Sequence, residues 1–150
     1  MKKVERVLVP LDHSPGSDEI VEYACAITRG LGASIALMHI YEPPNAMVGM
    51  VPGATIGGEA SAERTAGVAL LDRAAAVLQA NGCEAFDRIL ERSAPVSAAI
   101  TRHVKLGGFD LIVMGTHARH GVSRVILGSV AEQVVRSVAC PVLLVHLSRG

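Results

Sequence analysis

The chain has 150 residues, half of them apolar and only 3% aromatic, with fourteen basic residues set against fourteen acidic ones. One domain of ordinary size is expected, residues 1–150, with a core built from Ala, Val, Ile and Leu. A net charge of zero gives no electrostatic reason to bind nucleic acid or an anionic membrane, and no arginine-rich arm or aromatic interleaving supplies one locally.

The N-terminus, "MKKVERVLVP", is charged at its start, but its apolar part is short and interrupted by Glu5 and Arg6. It does not read as a signal peptide. The first strand candidate is Arg6 to Leu11. A helix follows, with Ser14 as cap, Pro15 at its first position and Ile20, Ala24, Ile27 and Leu31 on one face. The second strand candidate is Ser34 to Ile40. Next comes "EPPNAMVGMVPGATIGGEAS" (Glu42 to Ser61), which has no periodicity and reads either as a connector or as a lid over a site. A second helix carries Val68, Leu71, Ala75 and Leu78 on one face and stops at Asn81-Gly82. Phe86 to Glu91 is the third strand. The third helix starts near Pro95, carries Val96, Ile100 and Val104, and ends at Gly107-Gly108. Asp110 to Gly115 is the fourth strand. The fourth helix aligns Val130, Val134 and Val138, and Pro141 to Leu147 is the fifth strand.

Strands alternating with helices imply an α/β domain with a parallel sheet, helices on both faces and right-handed crossovers. The first, second, fourth and fifth strands are almost continuously apolar, as strands covered on both faces are. Cys25, Cys83 and Cys140 are odd in number and lack a CxxC pair. They read as small buried hydrophobes in a reducing compartment. No apolar run approaches the ~20 residues of a membrane span, and a cytoplasmic location is expected.

In open parallel sheets, ligands bind beyond the carboxyl ends of the strands, where strand order reverses. If the first strand is central and flanked by the second and fourth, Asp12 faces Gly115 across that point. The segment "MGTHARHGVSRVILGS" (Met114 to Ser129) then invites a phosphorylated ligand. Gly115 lets backbone approach without a Cβ, and Gly128-Ser129 opens a helix whose first N–H groups lack intrahelical partners. His117, Arg119, His120 and Arg124 add basic groups, and Asp12 is placed to accept from ribose hydroxyls. Each feature also has a ligand-free explanation. Ser129 and Glu132 form a capping box, Gly115 ends a strand, and Asp12 caps the first helix.

Neither GxGxxG, GxxxxGK[ST] nor G-x-S-x-G occurs. The histidines show no metal-ligand spacing, and His39 and His146, within strands, read as packed or hydrogen-bonded. No catalytic or metal-binding set emerges.

"VLVPLDHSP", "ALMHIYEPP" and "DLIVMGTHARHGVSRVILGSVAEQVVRSVACPVLLV" together resemble the universal stress protein family over nearly the whole chain. The resemblance implies a single doubly wound, Rossmann-like domain, with a five-stranded parallel sheet in the order 3-2-1-4-5 and four helices. It also implies a homodimer paired antiparallel along the Pro141–Leu147 edge. The family's ATP-binding branch carries G-x2-G-x9-G-[ST]. Gly115, Gly128 and Ser129 match that pattern, while Ala118 stands where the second glycine is expected. Carried over by position, Pro10 and Asp12 face the nucleoside, Ile40 meets adenine through its main chain, and Met114 and Gly115 form the floor. Ala118, Gly128, Ser129 and Val130 then hold the phosphates. The implied function is an ATP-binding sensor or regulator of a stress response, with Mg2+ accompanying ATP and a regulatory protein as partner. A slow ATPase is the most that could be expected as an enzyme, since the phosphate loop offers no carboxylate. The alternative is a nucleotide-free dimeric scaffold of the same fold.

Overall fold

A computed structural model describes residues 2–43, 56–116 and 127–147. Its strands are β1 (Arg6–Pro10), β2 (Ser34–Tyr41), β3 (Phe86–Arg92), β4 (Leu111–Thr116) and β5 (Val142–His146), and its helices are α1 (Ser17–Leu31), α2 (Ile56–Ala80), α3 (Val96–Gly107) and α4 (Ser129–Ser137). The strands form one sheet in the order β3-β2-β1-β4-β5, with every neighbouring pair parallel. The fold is the doubly wound α/β arrangement that the sequence predicts.

Burial explains why the central strands are apolar throughout. Val7, Leu8 and Val9 are all fully buried. Val7 and Val9 pack with Ile20 of α1 and Leu71 of α2, while Leu8 packs with Ile100 of α3 and Val134 of α4. Successive strand side chains point to opposite faces, so each face needs its own apolar set. Two helices end on glycines in the left-handed region, Gly32 (φ 65°) after α1 and Gly108 (φ 63°) after α3. A Cβ is disfavoured in that conformation.

The structure corrects several local expectations. α1 begins at Ser17 rather than at Ser14-Pro15, because an extra turn precedes it. Ser14 N–H donates to Asp12 Oδ1 (3.0 Å), and Ser17 Oγ donates to the Asp12 carbonyl (2.6 Å) and the Ser14 carbonyl (3.1 Å). The N-cap is Gly16, with no side-chain cap, so Asp12 braces the turn instead of capping the helix. The buried face of α1 runs through Ile20, Val21, Ala24, Cys25 and Thr28. Leu31, placed on that face by spacing, is 45% exposed.

α2 starts at Ile56, inside the stretch read as connector or lid. Residues 44–55 of that stretch lie outside the described residues. Val68 is 42% exposed, and Gly67 takes the inward position in its place. A Cβ on Gly67 would lie 2.7 Å from Leu90 Cδ1 and 2.9 Å from His39 Cδ2. Gly67→Ala is therefore expected to cost about 2 kcal/mol by overpacking, despite alanine's better helix propensity. Urea denaturation of the two proteins measures the sign, and a stabilised alanine variant would show that α2 is free to move off the sheet.

Cys25 and Cys83 are joined by a disulfide, with Cα atoms 6.2 Å apart, which overturns the expectation of three free thiols. The bond ties α1 to the turn after α2, a proximity that a separation of 58 residues conceals. Cys140 is free and half-buried, and burial pushes its thiol pKa up.

Asp110 anchors the N-terminal segment where β4 begins. Its carboxylate meets Lys2 Nζ at 3.0 Å and accepts from the backbone N–H groups of Glu5 and Arg6. The Lys2 hydrogen bond and the two amides hold its pKa below the usual aspartate value. A lowered folded-state pKa gives stability that is present above the ordinary carboxylate range and is lost as pH falls through the folded value. Asp110→Asn should remove that part of the acid-side decline in melting temperature and leave the rest of the profile in shape. An unchanged acid limb would contradict the anchoring role.

Candidate functional site

Strand order reverses between β1 and β4, the chain leaving one for β2 and the other for β5. The carboxyl ends of two adjacent strands are thus followed by connections that part to opposite sides, and a crevice opens between them. A cavity of about 300 Å3 lies there, at the lower end of the ~300–1,000 Å3 typical of small-molecule sites.

Pro10 and Asp12 enter the cavity from the end of β1, Ile40 from β2, and Met114 and Gly115 from β4, while Gly128, Ser129 and Val130 enter from the start of α4. These are the positions singled out in the sequence. Ala118 lies outside the described residues, as do His117, Arg119, His120 and Arg124. Ser14, Ile20, Val96 and Ile100 also line the cavity and were not anticipated as site residues. Val96 and Ile100 were read only as the inner face of α3; that α3 presents them to the crevice depends on how the crossover from β3 to β4 packs, which spacing does not reveal.

The start of α4 decides one of the open alternatives. Gly128 is the N-cap, and no side-chain hydrogen bond caps the helix. Ser129 is exposed and is the first helical residue, so the expected capping box with Glu132 does not form. Gly128 has φ −62° and ψ 153°, which any residue adopts, so its backbone conformation does not demand glycine. Glu132 N–H donates to the Gly128 carbonyl at 2.9 Å, closing the first turn and leaving the earlier amides at the helix mouth. Such amides, with the helix dipole behind them, favour an anion.

Gly115 has a different cause from the one expected. A Cβ there would lie 2.6 Å from Ile20 Cδ1 and 3.2 Å from Leu147 Cδ1. The chain's own side chains occupy that space, so packing alone accounts for the glycine.

His39 is 5% exposed, and its Nδ1–H donates to the Leu11 carbonyl at 2.9 Å, in line with a packed, hydrogen-bonded histidine. The ring of His13 stands edge-on to it, with centroids 4.9 Å apart. His146 is exposed, and its Nδ1 lies 3.5 Å from Thr116 Oγ1. Among the described residues, no group of three or more His, Cys, Asp or Glu side chains is placed to hold a metal. No helix among them is long and apolar enough to cross a membrane.

Fold and crevice together define a doubly wound α/β domain with a ligand-sized cavity at its switch point and an uncapped helix N-terminus at the rim. The match to the universal stress protein family spans residues 3–146, and the chain belongs to that family. A universal stress protein of Thermus aquaticus is 31% identical over 145 residues, covering 93% of this chain and 97% of that protein. Among solved structures, a universal stress protein family member from Burkholderia pseudomallei is 27% identical with a TM-score of 0.76, covering 97% of this chain and 98% of its own. A universal stress protein solved in complex with cAMP has a TM-score of 0.71 at 24% identity, covering 98% of this chain and all of its own.

Proposed function

We propose that this domain binds an adenine nucleotide, with ATP and its accompanying Mg2+ as the physiological form, and serves as a sensor or regulator in a stress response. The observation that carries the reading is the uncapped N-terminus of α4 opening onto a cavity at the switch point. In it, Pro10 and Asp12 take the nucleoside, with Asp12 accepting from ribose hydroxyls. Ile40 meets adenine through its main chain, Met114 and Gly115 form the floor, and Ala118, Gly128, Ser129 and Val130 hold the phosphates. A family member solved with cAMP supports an adenine nucleotide as the ligand class. Ala118, where the family pattern has glycine, costs on the order of 1 kcal/mol if that position needs a positive φ. That is less than a tenfold loss in affinity.

The working form in this proposal is a cytoplasmic homodimer paired antiparallel along Pro141–Leu147. β5 is an outer strand of the sheet, and Leu143 on it is 39% exposed. Such an edge invites a partner strand. A change in order of the loop after β4 on ATP binding would alter the surface offered to a regulatory protein. The second reading, a nucleotide-free dimeric scaffold, draws support from Ile20 and Leu147 filling the space beside Gly115.

Asp12→Ala tests the leading reading. Loss of hydrogen bonds from a charged acceptor should weaken ATP binding about tenfold in equilibrium dialysis. Equal affinity of the two proteins would remove Asp12 from the site.

A further inference from the structure

Gly16 and Gly115 share a neighbour that the nucleotide reading does not use. A Cβ on Gly16 would lie 2.3 Å from Leu147 Cδ1, and one on Gly115 would lie 3.2 Å from the same methyl group. Leu147 therefore seats its side chain between the N-cap of α1 and the end of β4. Gly16 has φ −88°, and Gly115 is not among the glycines with positive φ. Glycine at 16 makes room for Leu147 alone, and glycine at 115 makes room for Ile20 and Leu147 together.

The two glycines stand differently to the cavity. Gly115 lines it directly. Gly16 follows the turn that presents Asp12 and Ser14, a turn fixed by Ser17 Oγ on the Asp12 and Ser14 carbonyls. Leu147 comes from elsewhere: it continues β5, the outer strand of the sheet, and packs against the core on the α1 and α2 side. Packed interiors do not deform continuously, so a change in the volume of this wedge must move one wall or the other.

We propose that Leu147 is a positioning residue of the ligand cavity, setting the separation between the Asp12–Ser17 turn and Gly115 from a strand that contributes nothing else to the site. The proposal rests on the nucleotide reading above. It identifies a residue outside the family's nucleotide pattern whose size governs affinity without touching ligand.

The test is a size-exchange cycle on nucleotide-stripped protein titrated with ATP, with melting temperature measured on each variant. Gly16→Ala drives a methyl group into Leu147 and should weaken ATP binding about tenfold, and Leu147→Ala should weaken it about threefold, as coupled neighbours do. In the double variant the new methyl group enters the vacated space, and affinity should return to within about twofold of the wild type. Singles that lower only the melting temperature, with ATP affinity intact, would reduce Leu147 to a structural role and overturn the proposal. Losses that add in the double variant overturn it as well. If Gly16→Ala does not fold, Leu147→Met against Leu147→Ala decides the matter: the longer side chain must restore affinity. A wild type that binds no ATP fails at the first titration, which sinks the nucleotide reading itself and this inference with it.

Discussion

Replacing Ser129 by glutamate is expected to weaken ATP binding about thirtyfold while leaving the domain as stable as before. Ser129 is the first residue of α4, exposed, and makes no capping bond. A carboxylate there suits the helix dipole, worth about 0.3–1 kcal/mol, so the fold does not suffer. The same carboxylate opposes a phosphate at the helix mouth. Two unit charges about 4 Å apart repel by about 4 kcal/mol at an effective dielectric of 20, and solvent at an exposed position removes roughly half of that. Adenosine, which carries no phosphate, should bind both proteins alike. If Ser129→Glu binds ATP as the wild type does, the phosphates lie elsewhere.

The largest stability effect is expected at the disulfide. A crosslink closing 58 residues is worth about 4 kcal/mol on the loop-entropy model. Cys83→Ser should therefore lower the urea midpoint by about 2 M, taking a slope of about 2 kcal/mol/M for a chain of this size. Wild-type protein unfolded with excess dithiothreitol should fall to the same midpoint, and the variant should be indifferent to the reductant. Coincident wild-type curves with and without reductant would mean that the two thiols are not bonded in solution. The bond joins a residue 1% exposed to one 9% exposed, so in the proposed cytoplasmic setting it would be shielded from direct attack.

The architecture was legible because the strands announce themselves. Val7, Leu8 and Val9 form an unbroken apolar run, and only a strand covered on both faces buries all of it. Strand limits shift by no more than a residue at either end, as expected where turns and caps set the boundary. Helix faces were less legible. Spacing put Val68 inward on α2, whereas the inward residue is Gly67, which an apolar pattern does not count. The start of α2 at Ile56 was hidden by the glycines of "TIGGEAS". These glycines carry a propensity cost of up to about 1 kcal/mol each that tertiary packing can outweigh.

The site was legible from topology more than from chemistry. Asp12, Ile40 and Gly115 could be placed together because each follows or ends a strand near the switch point. Two interactions had no signal in sequence. The Cys25–Cys83 pair has no motif spacing, and Leu147 meets Gly16 and Gly115 only because β5 returns beside β4. The capping-box reading of Ser129 failed for a local reason: Gly128 already occupies the cap position, which moves the serine one residue into the helix.

The central claim is that the cavity between β1 and β4 takes an adenine nucleotide. Calorimetric titration of nucleotide-stripped protein with ATP and Mg2+, with Ala118→Gly alongside, tests it most directly. Saturable binding by the native chain, with the glycine variant equal or up to about tenfold tighter, is the expected result. No heat from either protein at millimolar ATP would contradict the claim and leave the nucleotide-free scaffold as the reading of this fold.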